Sequence, residues 1–268
     1  MPLSSNHPVT LILFMGQSNM AGRGVTCERW PQTAPALEEG IAWEYRAVSA
    51  PGQLFPLAEP FGRDENRAGG INDVTRDGHP MKSGSLVSAF CRAWYRRTGE
   101  VIVGVSASKG GSSLAEWLPG ASAGYLEDTL RRVRGAEAYL SAQGIPIARR
   151  LVLFCQGETD GDLGTAPEDY IAQFRQLWSV LSRVMPEMAM IQIGRCNLPG
   201  AYHRYDAIAE AQEELCRTVP GVRMASRLLP TFLDQGLMKD AFHYYQHAYN
   251  LVGEDAAERI AGPLSQLR

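Results

Sequence analysis

The chain has no paired cysteines, no long hydrophobic run and no surplus of charge of either sign, and each absence removes a class of protein. Its five cysteines, Cys27, Cys91, Cys155, Cys196 and Cys216, are odd in number, widely spaced and free of any CxxC pair. That excludes a disulfide framework and a structural zinc site, and it fits a reducing compartment. No apolar stretch approaches the roughly 20 residues that a membrane span needs. Lys and Arg total 26 against 29 Asp and Glu, a formal net charge of -3, and no five or six like charges follow one another. There is then no electrostatic case for nucleic acid or an anionic membrane as partner. The densest basic clusters, Arg131, Arg132 and Arg134, and Arg149 with Arg150, read as solvated ends of a helix and a strand. Internal repeats and low-complexity tracts are also missing. The first apolar run is too short, and its flank too poor in basic residues, for a secretory signal peptide. The expected address is cytoplasmic, or secreted if a leader has been removed.

What is present is enough apolar material for a sizeable core: 268 residues, 45% of them hydrophobic, expected to form one domain over 1–268. Val9, Thr10, Leu11, Ile12, Leu13, Phe14 and Met15 are apolar on both faces, the pattern of a strand buried inside a parallel sheet. Gly16 ends it, and Gln17, Ser18, Asn19 and Met20 turn towards a helix, which puts Ser18 just past the C-terminal edge of the sheet. Open α/β sheets bind their ligands at that edge.

Further strands are expected at Glu100–Ser106, Arg150–Phe154, Met188–Ile193 and Val222–Ser226. Helices are expected at Ser85–Thr98, 124–143, Pro167–Met185 and Asp206–Val219, with a long helix after the His-bearing turn near His243. This alternation predicts an α/β fold, a three-layer α/β/α sandwich around a central, mostly parallel sheet. Residues 25–85 are aperiodic and rich in Pro, Gly and charge, and long irregular segments in compact domains usually serve a function. With Trp30, Trp43, Tyr45, Phe55 and Phe61 this segment is expected to pack as a cover over the sheet edge. Its polar group, Asp64, Glu65, Asp73, Asp77 and His79, reads as solvated loop charge, since the spacing matches no metal loop.

Three expected strands end in polar, glycine-containing turns: GQSNMAGRG, SKGGSSLAEW and CQGETDG. In the second, Ser113 and Glu116 have the spacing of a capping box. A serine at neutral pH is a weak nucleophile that needs a base within hydrogen-bond reach, itself oriented by a third group. His243, three residues after Asp240, meets that need on one turn. The pair alone is weak; with three strand-end turns it is harder to dismiss.

GQSNMAGRG, the GG of SKGGSSLAEW, QGETD and DAFH, in this order, closely resemble the SGNH (GDSL-like, flavodoxin-like) hydrolases, in the sialate O-acetylesterase-like and carbohydrate esterase family 6 branch, as does PLAEPFG at 56–62. The lipase elbow G-x-S-x-G is absent, because Met20 stands where its second glycine belongs.

The resemblance implies Ser18 as nucleophile, His243 as base and Asp240 as the carboxylate that orients it. It implies an oxyanion hole from the Ser18 amide, the Gly110 amide (Gly111 being the alternative) and the Gln156 side chain, at a position where most of the superfamily has asparagine. It calls for no cofactor and no metal. The implied reaction removes O-acetyl groups from a glycan or small-molecule ester. Asn19, Gly111, Glu158 and Trp117 are candidates for substrate binding, each with a structural alternative. Asn19 could brace the turn, Trp117 could be core, and Glu158 with Asp160 could bond neighbouring turns. Tyr244, Tyr245 and His247 flank the base and could simply cap the last helix. Two other functions stay open: a lipid or thioester hydrolase of the same superfamily, and a noncatalytic carbohydrate-binding module on this fold.

Overall fold

The apolar run that opens the sequence becomes the middle of the molecule. In the computed structural model, which describes residues 7–262, Val9–Gly16 forms β1 with every residue buried. Successive side chains of a strand face opposite ways. Leu11, Leu13 and Met15 therefore enter one apolar cluster, and Ile12 and Phe14 the other. β1 pairs in parallel with Val101–Ser108 (β4) and with Ile147–Cys155 (β5). Beyond these lie Ala42–Tyr45 (β2), Leu54–Pro56 (β3), Glu187–Ile191 (β6) and Val222–Ser226 (β7), in the order β3-β2-β4-β1-β5-β6-β7. Only β2 with β3 is antiparallel.

The helices cover both faces. Tyr125–Ala142 (α3), Pro167–Leu181 (α5) and Asp206–Thr218 (α6) pack on one side, and Val87–Thr98 (α2) with Gln246–Ile260 (α7) on the other. Two short helices, Ser18–Ala21 (α1) and Glu158–Leu163 (α4), sit directly after β1 and β5. The α/β architecture with a mostly parallel sheet is as expected from the alternation. No helix among the described residues is long and apolar enough to cross a membrane, and all five cysteines are free.

Residues 25–85 contribute two strands to the sheet. β2 pairs with β4 and β3 pairs with β2, which extends the sheet by two strands. These strands of four and three residues are too short to show a period, and β2 includes a buried glutamate, Glu44, that accepts the Gly62 amide at 2.9 Å. The expectation of solvated charge also fails for two residues of this segment. Glu65 is buried and accepts the Val48 and Ser49 amides, and Asp73 is fully buried. Arg132 is a third correction. Instead of ending a helix in solvent it is buried, paired with Asp128 at 2.8 Å, and it donates to the carbonyls of Ser106 and Glu65. One guanidinium thereby fastens the irregular segment to β4, since its planar fork of donors can satisfy several acceptors at once.

Candidate active site

The turn after β1 requires a glycine at its start. Gly16 has φ +151, and a Cβ there would lie 1.9 Å from the Cys155 carbonyl oxygen, because β1 and β5 stay paired up to their last residues. The Gln17 amide then donates to that same carbonyl at 2.9 Å, while the Gln17 side-chain oxygen accepts the amides of Gly157 and Thr159 in the turn after β5. Ser18 opens α1, so its N–H has no carbonyl one turn earlier to bond. Its hydroxyl makes no hydrogen bond with another described residue.

His243 and Asp240 come from the turn between β7 and α7, closed by a bridge between Met238 and Tyr244. The Asp240 carboxylate accepts the amides of Phe242 and His243, each at 2.8 Å, and lies 3.0 and 3.1 Å from His243 Nδ1. Burial pulls the imidazole below its ordinary value, against the opposing pull of Asp240, so the ring is neutral at neutral pH. Burial would raise the Asp240 carboxyl, but the two backbone amides and the imidazole together hold it lower than usual. With Nδ1 engaged, Nε2 is the nitrogen left for another partner.

Ser18 and His243 line one pocket of about 340 Å³, together with Gly110, Gly111, Glu158 and Phe242. That volume is at the small end of ligand sites, which run from roughly 300 to 1,000 Å³. A wider groove of about 900 Å³ runs beside β7, but ion pairs such as Arg227–Glu213 line it and it holds neither serine nor histidine.

Two of the expected oxyanion donors are engaged elsewhere. The Gly110 amide donates to Asp73 Oδ1 at 3.0 Å, whereas the Gly111 amide, at φ +71, has no partner among the described residues. Of the pair left open by the sequence, Gly111 is thus the one with a free N–H. Gln156 is fully buried and outside the pocket lining. Its Nε2 donates to Asp160 and to the Ser112 carbonyl, and its Oε1 accepts from the Tyr170 hydroxyl. Both amide hydrogens are therefore occupied, and the side chain ties the turn after β5 to the turn after β4.

The residues with two readings separate. Asn19 lines the pocket, with its side chain engaged by the turns around it: Nδ2 donates to Glu158 Oε1 at 2.5 Å and to the Phe242 carbonyl, and Oδ1 accepts from Tyr249. Trp117 is not a platform for a sugar, being fully buried with its indole N–H on Ser112 Oγ at 3.0 Å. Asp160 accepts the Leu114 amide, a bond between neighbouring turns, and the Ser113–Glu116 capping box forms as expected. Glu158 stays open to the pocket. Its Oε2 is buried without a partner, and burial pushes its carboxyl up to about 7 against the opposing bond from Asn19. The sequence reading missed Arg23 and Asp73. Arg23 was visible, five residues after Ser18 in the same motif; Asp73, inside an aperiodic segment, carried no signal.

A family model described as carbohydrate esterase, sialic acid-specific acetylesterase, matches residues 8–261. Among solved structures, a protein of Arabidopsis thaliana superposes with a TM-score of 0.66 at 23% identity, over 94% of this chain and 97% of that one. A carbohydrate acetylesterase of Xanthomonas citri gives 0.56 at 16% identity, over 94% of this chain but 55% of its own. NanS gives 0.52 at 14% identity, over 96% and 97%. These three likenesses establish the shared fold. No curated protein matches the sequence.

Proposed function

Because the chain belongs to the carbohydrate esterase family of sialic acid-specific acetylesterases, and is thus a carboxylic ester hydrolase, we propose that it removes O-acetyl groups from a carbohydrate through an acyl-enzyme on Ser18. Ser18 Oγ attacks the ester carbonyl as His243 Nε2 takes its proton, and Asp240 stabilises the imidazolium at Nδ1. The tetrahedral oxyanion accepts from the amides of Ser18 and Gly111. On collapse the sugar oxygen leaves with the proton from His243. Water then attacks the acetyl-serine carbonyl, giving one proton to His243. The intermediate collapses to acetic acid, which ionises to acetate in solution, and the proton on His243 returns to Ser18 Oγ, which restores every group.

The observation that carries the reading is one pocket in which a serine hydroxyl without a partner faces the same space as a neutral imidazole, whose other nitrogen is 3.0 Å from a carboxylate. Ser18 and His243 are not hydrogen bonded to each other, and catalytic bonds of this kind tighten in the Michaelis or transition-state complex. The test is Ser18→Ala, assayed with p-nitrophenyl acetate and by acetate release from acetylated mono-, oligo- and polysaccharides. Turnover on each productive substrate is expected to fall by at least about 1,000-fold. A purified, folded variant with an unchanged rate refutes the reading.

A further inference from the structure

Asp73 stands 55 residues from Ser18 in sequence, in a stretch otherwise built of turns, yet it is fully buried and bonded to four other residues. Arg23 Nη2 lies 2.8 Å from both of its carboxylate oxygens. The Gly110 amide donates to Oδ1 at 3.0 Å. On its own main chain, the Asp73 amide donates to Asn66 Oδ1 at 2.8 Å, and its carbonyl accepts the Met81 amide at 3.0 Å. The carboxylate thus joins the chain that carries the serine, through Arg23, to the glycine turn after β4. The fit is tight, since a Cβ on Gly110 would meet Arg23 Nη2 at 2.6 Å and Asp73 Oδ1 at 3.0 Å.

The effect on the turn follows from peptide planarity. A trans peptide points its C=O and its N–H in opposite directions. The plane between Lys109 and Gly110 is held at its N–H by Asp73 and at its C=O by the Ser112 hydroxyl, at 2.8 Å. The plane between Gly110 and Gly111 is held at its C=O by Lys109 Nζ, at 2.9 Å. The Gly111 N–H, at the other end of that plane, has no partner among the described residues; Gly111 lines the pocket with Ser18, whereas Ser112, whose amide is also without a partner among them, does not.

We propose that Asp73 is a positioning residue for ester hydrolysis: by occupying the Gly110 amide it fixes the glycine turn so that the Gly111 amide, and not that of Gly110, serves the oxyanion. The inference rests on the proposed acyl-enzyme at Ser18, and it gives the irregular segment a part in the reaction.

The test pairs Asp73→Ala with Asp73→Asn, which keeps an oxygen able to accept from Gly110. With p-nitrophenyl acetate, Asp73→Ala is expected to lose about 10- to 100-fold in kcat, less than the loss of a whole oxyanion donor. KM and the acid limb of the pH profile are expected to stay in place, and Asp73→Asn to recover most of the loss. A lowered melting temperature with wild-type kcat at 25 °C overturns the inference, as does an asparagine variant no better than alanine. A measurement on protein that carries no substitution covers the case in which neither variant folds. In ¹⁵N-labelled protein phosphorylated on Ser18 by diethyl p-nitrophenyl phosphate, the Gly111 amide is expected to shift downfield while Gly110 stays in place; the reverse overturns the inference. If Ser18→Ala keeps its activity, or the phosphate ester does not attach to Ser18, the acyl-enzyme reading has failed instead.

Discussion

His243 loses its proton more readily than an isolated imidazole, because burial disfavours the charged ring more than Asp240 favours it. A residue that works as a base must be neutral to start, so a depressed value extends the active range towards acid. Hydrolysis of p-nitrophenyl acetate, followed as kcat/KM against pH, is expected to fall only below the ordinary histidine value near 6.5. Asp240→Asn removes the charge that favours the imidazolium, so the same limb is expected at still lower pH, with a rate reduced by on the order of 100-fold or more. A limb that moves towards alkali in this variant contradicts the assignment. At the same scale, the residues flanking Ser18 divide by their bonds. Gln17 and Asn19 have their side chains occupied by other turns, whereas the Ser18 hydroxyl is free to react.

At the scale of elements, three of the turns that build the site, those after β1, β4 and β5, are bonded to one another. Gln17 holds the turn after β5, and the α4 residue Asp160 holds the start of the Leu114–Trp117 turn. Gln156 joins Asp160 to Ser112 and so closes the set. Such interlocking fixes a nucleophile and its donors through rigid neighbours, which is what preorganisation demands. Gln156→Ala separates this structural role from donation to an oxyanion. It leaves Asp160 buried with one partner fewer, at a cost of about 1–3 kcal/mol, equivalent to a melting temperature lower by roughly 2–12 °C for a chain of this size. Measured well below that temperature, kcat is expected to fall by less than about tenfold. A loss of 100-fold or more in a fully folded variant would return Gln156 to the oxyanion hole.

At the scale of the molecule, placing a site at the sheet edge costs stability, and Glu158 shows where. Its carboxyl titrates near 7 in the folded protein, against 4.5 for an ordinary glutamate, chiefly because it is buried. Between those values the folded chain keeps a proton that the unfolded chain has released. Stability from this group is therefore fully present below 4.5 and is lost as the pH rises through 7. Glu158→Gln removes the titration. Relative to the variant, wild-type protein is expected to lose roughly 3 kcal/mol between pH 4.5 and pH 8, measured by urea unfolding at a series of pH values. A constant difference across that range refutes the shift. Function requires the cost if the unpartnered oxygen of Glu158 serves the pocket, since buried groups without partners concentrate at working sites.

Apart from β2 and β3, the order of strands and helices was legible in the sequence, as were the burial of β1 on both faces and the turns carrying Ser18, Gly110 with Gly111, and Asp240 with His243. Those features depend on local periodicity, or on residues a few positions apart, and composition and spacing record both. The tertiary structure alone decided which polar groups are free. The amides of Gly110 and Gly111 are adjacent and chemically alike, and only Asp73, brought in from 37 residues away, distinguishes them. Gln156 and Trp117 had the right positions in the chain for a site, but packing against Asp160 and Ser112 turned them inward. Arg132 and Asp73 read as solvent charge because their partners, Asp128 apart, lie far along the chain. A sequence lists donors and acceptors, and only the folded chain determines which of them are already paired.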